Sequence, residues 1–443
     1  MRSQVWAKDT WILAAIVLLG LTLRLFSLSW NIFPHADVGG DVTVGALFLQ
    51  TGSLWEEAPD PLAPRHPTLF PIDSRTGIPA MQHGPVWVLL GSGLASLWHG
   101  YTEADVYFAL RLLSVVCGTA LIMMLWVVAH ALNGREGALA CALWASMSYL
   151  LIDYSGNGAF YALQGTLYLL WILIALRKPS AKRAAALGAV TGCAYLVNYQ
   201  SIILLPASII LEIFQYKQGR QCLLNMVVVT VMAGLLASPC LIRNAILVGD
   251  PFGHHLVNSN YVFSKSGIHA TVVDNVYRFP SKREQLTAIL SMVMTSWLPN
   301  NSFYIARKLF VLAPIAFIFF SYGLIGQVLT RSRRRLLLPV LLLFAVHFLI
   351  SASWPITKFR FLVPLLPLVF LLSYDAIRHF VNNQRTRTLW VILITIAICS
   401  GSALTYLSVP THTYYYDGAI TTDPFSGRGE WNYLRDKGYL PSP

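Results

Sequence analysis

Charge is what this chain has least of. Only 12% of its 443 residues are charged, with 20 Asp and Glu together, while 56% are hydrophobic. So little charge excludes a soluble domain of ordinary composition, because one water-soluble core could not cover that much apolar surface. Strands of alternating polarity are also missing, which excludes a membrane barrel. The cysteines, Cys117, Cys141, Cys193, Cys222, Cys240 and Cys399, all fall within apolar runs. They lack the spacing of a disulfide framework or a zinc site and read as small buried hydrophobes. There is no nucleophile elbow and no Gly-rich phosphate loop, so hydrolase and ATPase chemistry have no motif to rest on. Nor does the sequence contain an internal repeat, a heptad run or a low-complexity tract.

What is present is a series of apolar runs of about 18 to 25 residues, the length that crosses a bilayer as helix. Backbone polar groups in lipid must be satisfied within the segment, so the chain is expected to be an all-α polytopic membrane protein. The run Trp11–Trp30 follows Arg2 and Lys8 and has no small-residue cleavage site behind it, so it is expected to stay as a first span. The net charge of +12 reports topology rather than nucleic acid, because the basic residues sit in short connectors. These are Arg177-Lys178 with Lys182-Arg183, Lys217 with Arg220, Arg331 with Arg333-Arg334-Arg335, and Arg378, Arg385 and Arg387.

Cytoplasmic loops retain such residues, so an even number of crossings separates successive connectors. Spans are expected near Ala184–Val197, Ser201–Phe214, Leu223–Leu241, Leu309–Leu329, Leu336–Ser353, Phe361–Ala376 and Leu389–Ser408. Upstream of Arg177 the same reasoning places spans near Val106–Leu132, Ala138–Ile152 and Ala159–Leu176, with Arg135 inside. The segment 31–105 must then stay outside. Its apolar stretch Gly84–His99 is therefore expected to lie along or dip into the outer surface as a juxtamembrane helix.

The expected architecture has about eleven spans within residues 1–408, an inner amino terminus, large outer loops at 31–105 and 243–307, and a short outer tail at 409–443. The retained span and outward loops point to a bacterial inner membrane with an extracytoplasmic site. The outer loops are large and rich in Asp, Glu, His and Tyr, whereas acids in the spans are few and near their ends: Asp153, Glu212 and Asp375. Function is expected in the loops.

Several segments carry a family resemblance in consistent order. An acidic loop, Pro34-His35-Ala36-Asp37-Val38-Gly39-Gly40-Asp41, follows the first span and leads to Ala46-Leu47-Phe48-Leu49-Gln50-Thr51-Gly52. Gln82-His83-Gly84-Pro85 comes next, then Arg111-Leu112-Leu113-Ser114, Asn133-Gly134-Arg135-Glu136-Gly137 and the segment Tyr154–Ala162. Later echoes are Pro239–Asn244, Gly249-Asp250-Pro251 and Arg360–Pro367. The chain resembles the GT-C superfamily of polyprenyl-phosphate-sugar glycosyltransferases, in the bacterial branch of the lipid A aminoarabinose transferases, related to protein O-mannosyltransferases. The resemblance implies a GT-C fold, an outer juxtamembrane helix and transfer with inversion at the anomeric carbon. The chain departs from the family in two places. The usual Asp-Glu pair is replaced by Asp37 and Asp41, and the Lys-Pro-Pro-like element reads Gln82-His83-Gly84-Pro85.

Transfer from a polyprenyl-phosphate sugar to a lipid, glycan or protein acceptor needs a carboxylate to take the acceptor's proton. It also needs cations or a metal to stabilise the departing phosphate. Asp41 is the preferred base and Asp37 the second choice, Asp41 because two glycines let its backbone turn close to a ligand. The competing reading makes Asp41 the N-cap of a helix beginning at Val42. For the donor phosphate the candidates are Lys358, Arg360, Arg243 and Arg111. Snorkelling to headgroups is the alternative for these cations, and pairing with Glu103 or Asp105 is a further one for Arg111. His83, Gln82, Asp153 and Tyr154 are candidate substrate contacts, and His83 could join Asp41 on a divalent metal ion, whose involvement stays open. A transporter or flippase for a lipid-linked or polar solute is the alternative function; it would require polar midplane groups in interrupted helices.

Overall fold

The computed structural model describes residues 2–29, 31, 36–57, 78–80, 83–215, 219–252, 271–273, 276–278, 282–329, 334–354, 359–408, 415–416 and 419–420. Helices dominate, and the described strands form three two-stranded antiparallel ribbons. Helix α1 (Arg2–Ser27) is followed by α2 (Ala36–Thr51), a ribbon of β1 (Trp55–Glu57) and β2 (Ile78–Pro79), and α3 (Pro85–Ser96). Next come α4 (Glu103–Met147), α5 (Tyr149–Asp153), α6 (Tyr161–Ala175), α7 (Ala181–Val197), a 3-10 turn Tyr199–Ile203, α8 (Leu204–Gln215) and α9 (Gly219–Val248). The chain continues through β3 (Thr271–Val273), β4 (Val276–Arg278), α10 (Lys282–Met292), α11 (Leu298–Leu312), α12 (Pro314–Leu329) and α13 (Arg334–Ser353). A 3-10 turn Phe359–Leu362, α14 (Leu366–Phe380), α15 (Gln384–Ser408) and the ribbon β5 (Tyr415–Tyr416) with β6 (Ala419–Ile420) complete it.

Helix α4 is two helices in one run. Gly134 has φ 75° and ψ −169°, a conformation that side chains with a Cβ rarely adopt. The chain reverses there, because Gly20 of α1 lies against both Ile122 and Ser146; in a straight helix those two residues would stand about 36 Å apart. The arms 103–133 and 135–147 are therefore antiparallel, with the connector at Arg135, as the basic-residue arithmetic expects.

The connectors meet at the same end. Glu136, just past the Gly134 reversal, accepts a 2.8 Å hydrogen bond from Gln384 at the start of α15 and faces Arg387 at 3.7 Å. Among the described residues, five helices are long and apolar enough to cross a membrane alone: Thr10–Ser27, Glu103–Met147, Gly219–Leu247, Leu336–Ser353 and Gln384–Leu407. Their outward faces expose large hydrophobics, among them Trp11, Leu235, Ile246 and Leu407, which suits lipid and not water. The span expected near Leu309–Leu329 is broken at Ala313 (φ −151°, ψ 66°), which separates α11 from α12.

Helix α3 has 12 residues. It rises about 18 Å, well short of a hydrocarbon core of about 30 Å. One side of it, Trp87, Val88, Gly91, Ser92 and Ala95, is buried, mainly against α2 and the first arm of α4.

Helices α7 and α9 pack backbone to backbone. A Cβ on Gly188 would stand 2.4 Å from the Val229 carbonyl oxygen, and one on Gly192 would stand 2.8 Å from that of Ala233. The Gly-x-x-x-Gly spacing thus lets two backbones touch, which in lipid replaces the hydrophobic drive that water would supply. At one end of the pair, buried Arg183 donates to Glu212 and Gln215, and Asn225 donates to the other Glu212 oxygen at 3.0 Å.

Candidate active site

Helix α2 begins at Ala36 and runs through Gly39-Gly40, so the competing reading of Asp41 as an N-cap does not hold. It sits in the second turn. The reason is tertiary: Val38, Val42 and Ala46 form a buried i, i+4, i+8 stripe, and Gly45 lets Val106 and Ser92 approach closely. Packing against α3 and α4 overrides the glycines' weak helix propensity. The backbone of Asp37 lies in the first turn of α2; its side chain is outside the described residues.

Asp41 is 4% exposed. Its Oδ1 lies 2.8 Å from His83 Nδ1, and its buried Oδ2 has no hydrogen-bond partner among the described residues. A carboxylate oxygen left bare in a buried position is costly unless a ligand or proton meets it. The His83 ring also packs edge-on against Phe160, with centroids 4.9 Å apart.

His83 is held in place through its neighbours. Gly84 lies directly on the end of α7, where an added Cβ would fall 2.1 Å from the Leu196 oxygen. Three residues further on, Trp87 of α3 is fully buried and its indole donates to the Gly158 carbonyl at 2.9 Å. Gly158 has φ +85°, so the glycine-rich loop after α5 can turn its carbonyl toward α3 while Phe160 reaches His83. The acidic loop, the Gln-His-Gly-Pro element and the Tyr154–Ala162 segment, separate in sequence, thus converge here. Gln82 lies outside the described residues.

Asp153 and Tyr154 occupy a neighbouring polar cluster at the end of α1. Both are buried. Asp153 Oδ1 accepts from Asn31 at 3.2 Å, and the Tyr154 carbonyl accepts from Ser114 at 3.0 Å. Arg111 donates to the carbonyls of Leu28 and Gly156 and lies 5.3 Å from the Tyr107 ring centre. The two acids considered as its partners bond elsewhere: Asp105 closes a capping box with Thr102, and Glu103 accepts from Thr43 at 2.8 Å.

Arg243 on α9 forks onto the segment that carries the β1–β2 ribbon. Its two terminal nitrogens donate to the carbonyls of Leu54 and Ala80, at 2.7 and 3.0 Å, and so hold the residues that flank the two strands at the same end of the ribbon. Arg360 lies in the 3-10 turn before α14, with its guanidinium 5.5 Å from the Phe361 ring centre. Lys358 is outside the described residues.

Sequence reasoning missed Lys308. Its ammonium stands 4.6 Å from the centre of the Phe359 ring and 5.4 Å from that of Tyr304, which brings α11 against the Arg360 turn. Helix α11 is not among the membrane-crossing candidates. Burial, with Arg307 next to it, holds the Lys308 ammonium below the ordinary lysine range. The only available signal was the Arg307-Lys308 pair, with no hint of its aromatic partners. Among the described residues no three His, Cys, Asp or Glu side chains gather as a metal site; Asp41 and His83 supply two.

Residues 84–242 match the family model described as dolichyl-phosphate-mannose-protein mannosyltransferase. No curated protein sequence matches the chain. Among solved structures, the Archaeoglobus fulgidus oligosaccharyltransferase in complex with Zn and sulfate superimposes with a TM-score of 0.60 at 14% identity, over 98% of this chain and 57% of that one. AglB from the same organism, in complex with an inhibitory peptide and a dolichol-phosphate, gives 0.56 at 14% identity, over 100% of this chain and 60% of that one. ArnT from Cupriavidus metallidurans bound to undecaprenyl phosphate gives 0.51 at 12% identity, covering 96% and 77%.

The chain has the GT-C fold. The resemblance drawn from the ordered segments is thereby borne out in the fold, and the family match covers part of the same segments. The family match begins at Gly84, beside the Asp41–His83 pair, and ends at Ile242, next to Arg243. The chain spans 57% to 60% of the length of the archaeal structures.

Proposed function

We propose that this GT-C protein transfers a sugar from a polyprenyl-phosphate donor to an acceptor presented on the extracytoplasmic side of a bacterial inner membrane, with Asp41 as general base. One observation carries the reading: a buried aspartate with one oxygen held by His83 and the other without a hydrogen-bond partner among the described residues. Asp41 Oδ2 takes the proton of the acceptor hydroxyl while the acceptor oxygen attacks the anomeric carbon. The bond from that carbon to the phosphate oxygen breaks, and the lipid phosphate leaves as an anion. His83, donating from Nδ1 to Oδ1, orients the carboxylate and stabilises its charge before the proton arrives.

Arg360 and Lys308, joined by Lys358 from the same short segment, meet the departing phosphate. Cations placed on aromatic faces in a desolvated setting suit an anion, because they lack the full hydration that would otherwise satisfy them. Arg111 and Arg243 serve by shaping the outer loops through the carbonyls they hold, and Asp153 and Tyr154 support the same wall. Asp37 stands one turn before Asp41 and is the second candidate base. A divalent ion would use Asp41 and His83.

The test is reconstitution with a panel of polyprenyl-phosphate sugars and measurement of released polyprenyl phosphate. Asp41→Asn should lower turnover by at least ~100-fold while donor binding is retained, and Asp37→Asn should lower it far less. Full turnover in Asp41→Asn would remove the base assignment.

A further inference from the structure

A string of buried side chains runs across the helices between the two halves of the proposed site. Asn198 directly follows α7, two residues beyond the Leu196 carbonyl on which Gly84 rests. Its Nδ2 donates to Gln164 Oε1 at 3.2 Å, and Gln164 Nε2 donates to the Tyr168 hydroxyl at 3.0 Å. The Tyr168 hydroxyl lies 3.3 Å from His347 Nδ1, and His347 Nε2 lies 3.0 Å from the Phe361 carbonyl oxygen. Asn198, Gln164, Tyr168 and His347 are all at most 5% exposed.

Donor and acceptor capacity sets one direction. The Phe361 carbonyl can only accept, so His347 carries its proton on Nε2, its Nδ1 accepts, and the Tyr168 hydroxyl donates to it. Every donor then points toward Phe361, an arrangement in which each bond strengthens the next. Phe361 is adjacent to Arg360, and its carbonyl lies in the turn that carries that cation.

We infer that the Asn198–Gln164–Tyr168–His347 string positions the Arg360 turn relative to the Gln-His-Gly-Pro element, whose His83 holds the base Asp41, with His347 as a positioning residue for recognition of the donor phosphate. The inference rests on the reading of Arg360 as a phosphate-binding cation. Beside the Lys308 contact from α11, the His347 bond ties the Phe361 carbonyl of the 3-10 turn to α13. The string thereby fixes distances from the end of α7 to the Phe361 carbonyl. Burying four polar side chains in the middle of an apolar bundle is otherwise unfavourable.

The experiment measures binding of undecaprenyl phosphate to the full chain in lipid nanodiscs, alongside the melting temperature. H347M should weaken binding about ten-fold, as expected when one buried hydrogen bond that fixes a clamp is removed. H347Q, whose Nε2–H can still reach the Phe361 carbonyl, should stay within about two-fold of the native chain. Y168F, which removes only the hydroxyl, should weaken binding about three-fold. If R360A binds undecaprenyl phosphate like the native chain, the phosphate reading of the turn is wrong and the string's role falls with it. If R360A is impaired while H347M and Y168F bind normally, the positioning role alone is overturned. That role is also overturned if H347M and H347Q lose melting temperature equally without a change in affinity.

Discussion

Gly84→Ala offers the most direct test of how the candidate base is held. Gly84 has φ −67° and ψ 142°, a conformation open to any residue, so its side-chain-free state is required by space and not by backbone torsion. An added Cβ would lie 2.1 Å from the Leu196 oxygen, 2.4 Å from the Leu196 carbonyl carbon and 2.8 Å from that of Val197. All three are backbone atoms at a helix end, so relief requires the Gln-His-Gly-Pro element to lift from α7 by about 1 Å. Overpacking of this kind costs about 1–3 kcal/mol. The larger effect falls on His83, whose 2.8 Å bond to Asp41 would be lost or rotated, and a shift of about 1 Å at a reacting group can lower turnover ~100-fold. Gly93, on the same short helix, is the control, because a Cβ there meets nothing within 4 Å. Gly93→Ala should be neutral or stabilising by up to about 1 kcal/mol. Both variants would be compared by polyprenyl phosphate release per folded molecule and by melting temperature. Native turnover in Gly84→Ala, or equal damage in both, would refute the reasoning.

Further outcomes follow from the other contacts. Arg243→Met removes two donors from the carbonyls of Leu54 and Ala80; limited proteolysis should then cut the segment between α2 and α3 at least ~10-fold faster, since each lost bond is worth about 1 kcal/mol. Glu212→Ala leaves the Arg183 charge buried without its carboxylate and should lower stability by about 3–5 kcal/mol, whereas the double variant Arg183→Met with Glu212→Met should recover most of that loss in a denaturation assay. Gly188→Leu should separate α7 from α9, read as a lowered melting temperature, because the Val229 backbone occupies the space the side chain needs.

The parts of the fold set by one-dimensional patterns were legible in advance. Basic connectors located the reversal near Arg135, and the shortness of Gly84–His99 marked it as a non-spanning helix, now α3. The Gln-His-Gly-Pro element was likewise visible as a site candidate. Asp41's place within α2 was not, because Gly39-Gly40 reads locally as a turn and only the stripe Val38, Val42, Ala46 against α3 and α4 makes it helical. The partners of Arg243 lie 163 and 189 residues away, beyond any local pattern. Lys308 was hidden for the same reason: the aromatic ring that receives it belongs to the turn before α14. Nothing local in the sequence links Gln164 and Tyr168 to His347; their order appears only when α6 and α13 are brought side by side.

Arg24 has a consequence for the order of assembly. It is fully buried in α1, donating to the Gly20 carbonyl of its own helix, the Ala145 carbonyl and the Ser155 hydroxyl. The last two lie 121 and 131 residues later in the chain. A guanidinium in a membrane helix is disfavoured by up to about 3 kcal/mol near the bilayer centre and less toward its edge. During synthesis α1 therefore enters the lipid with this penalty outstanding, and the late arrival of the second arm of α4 gives the first helix a reason to wait for it.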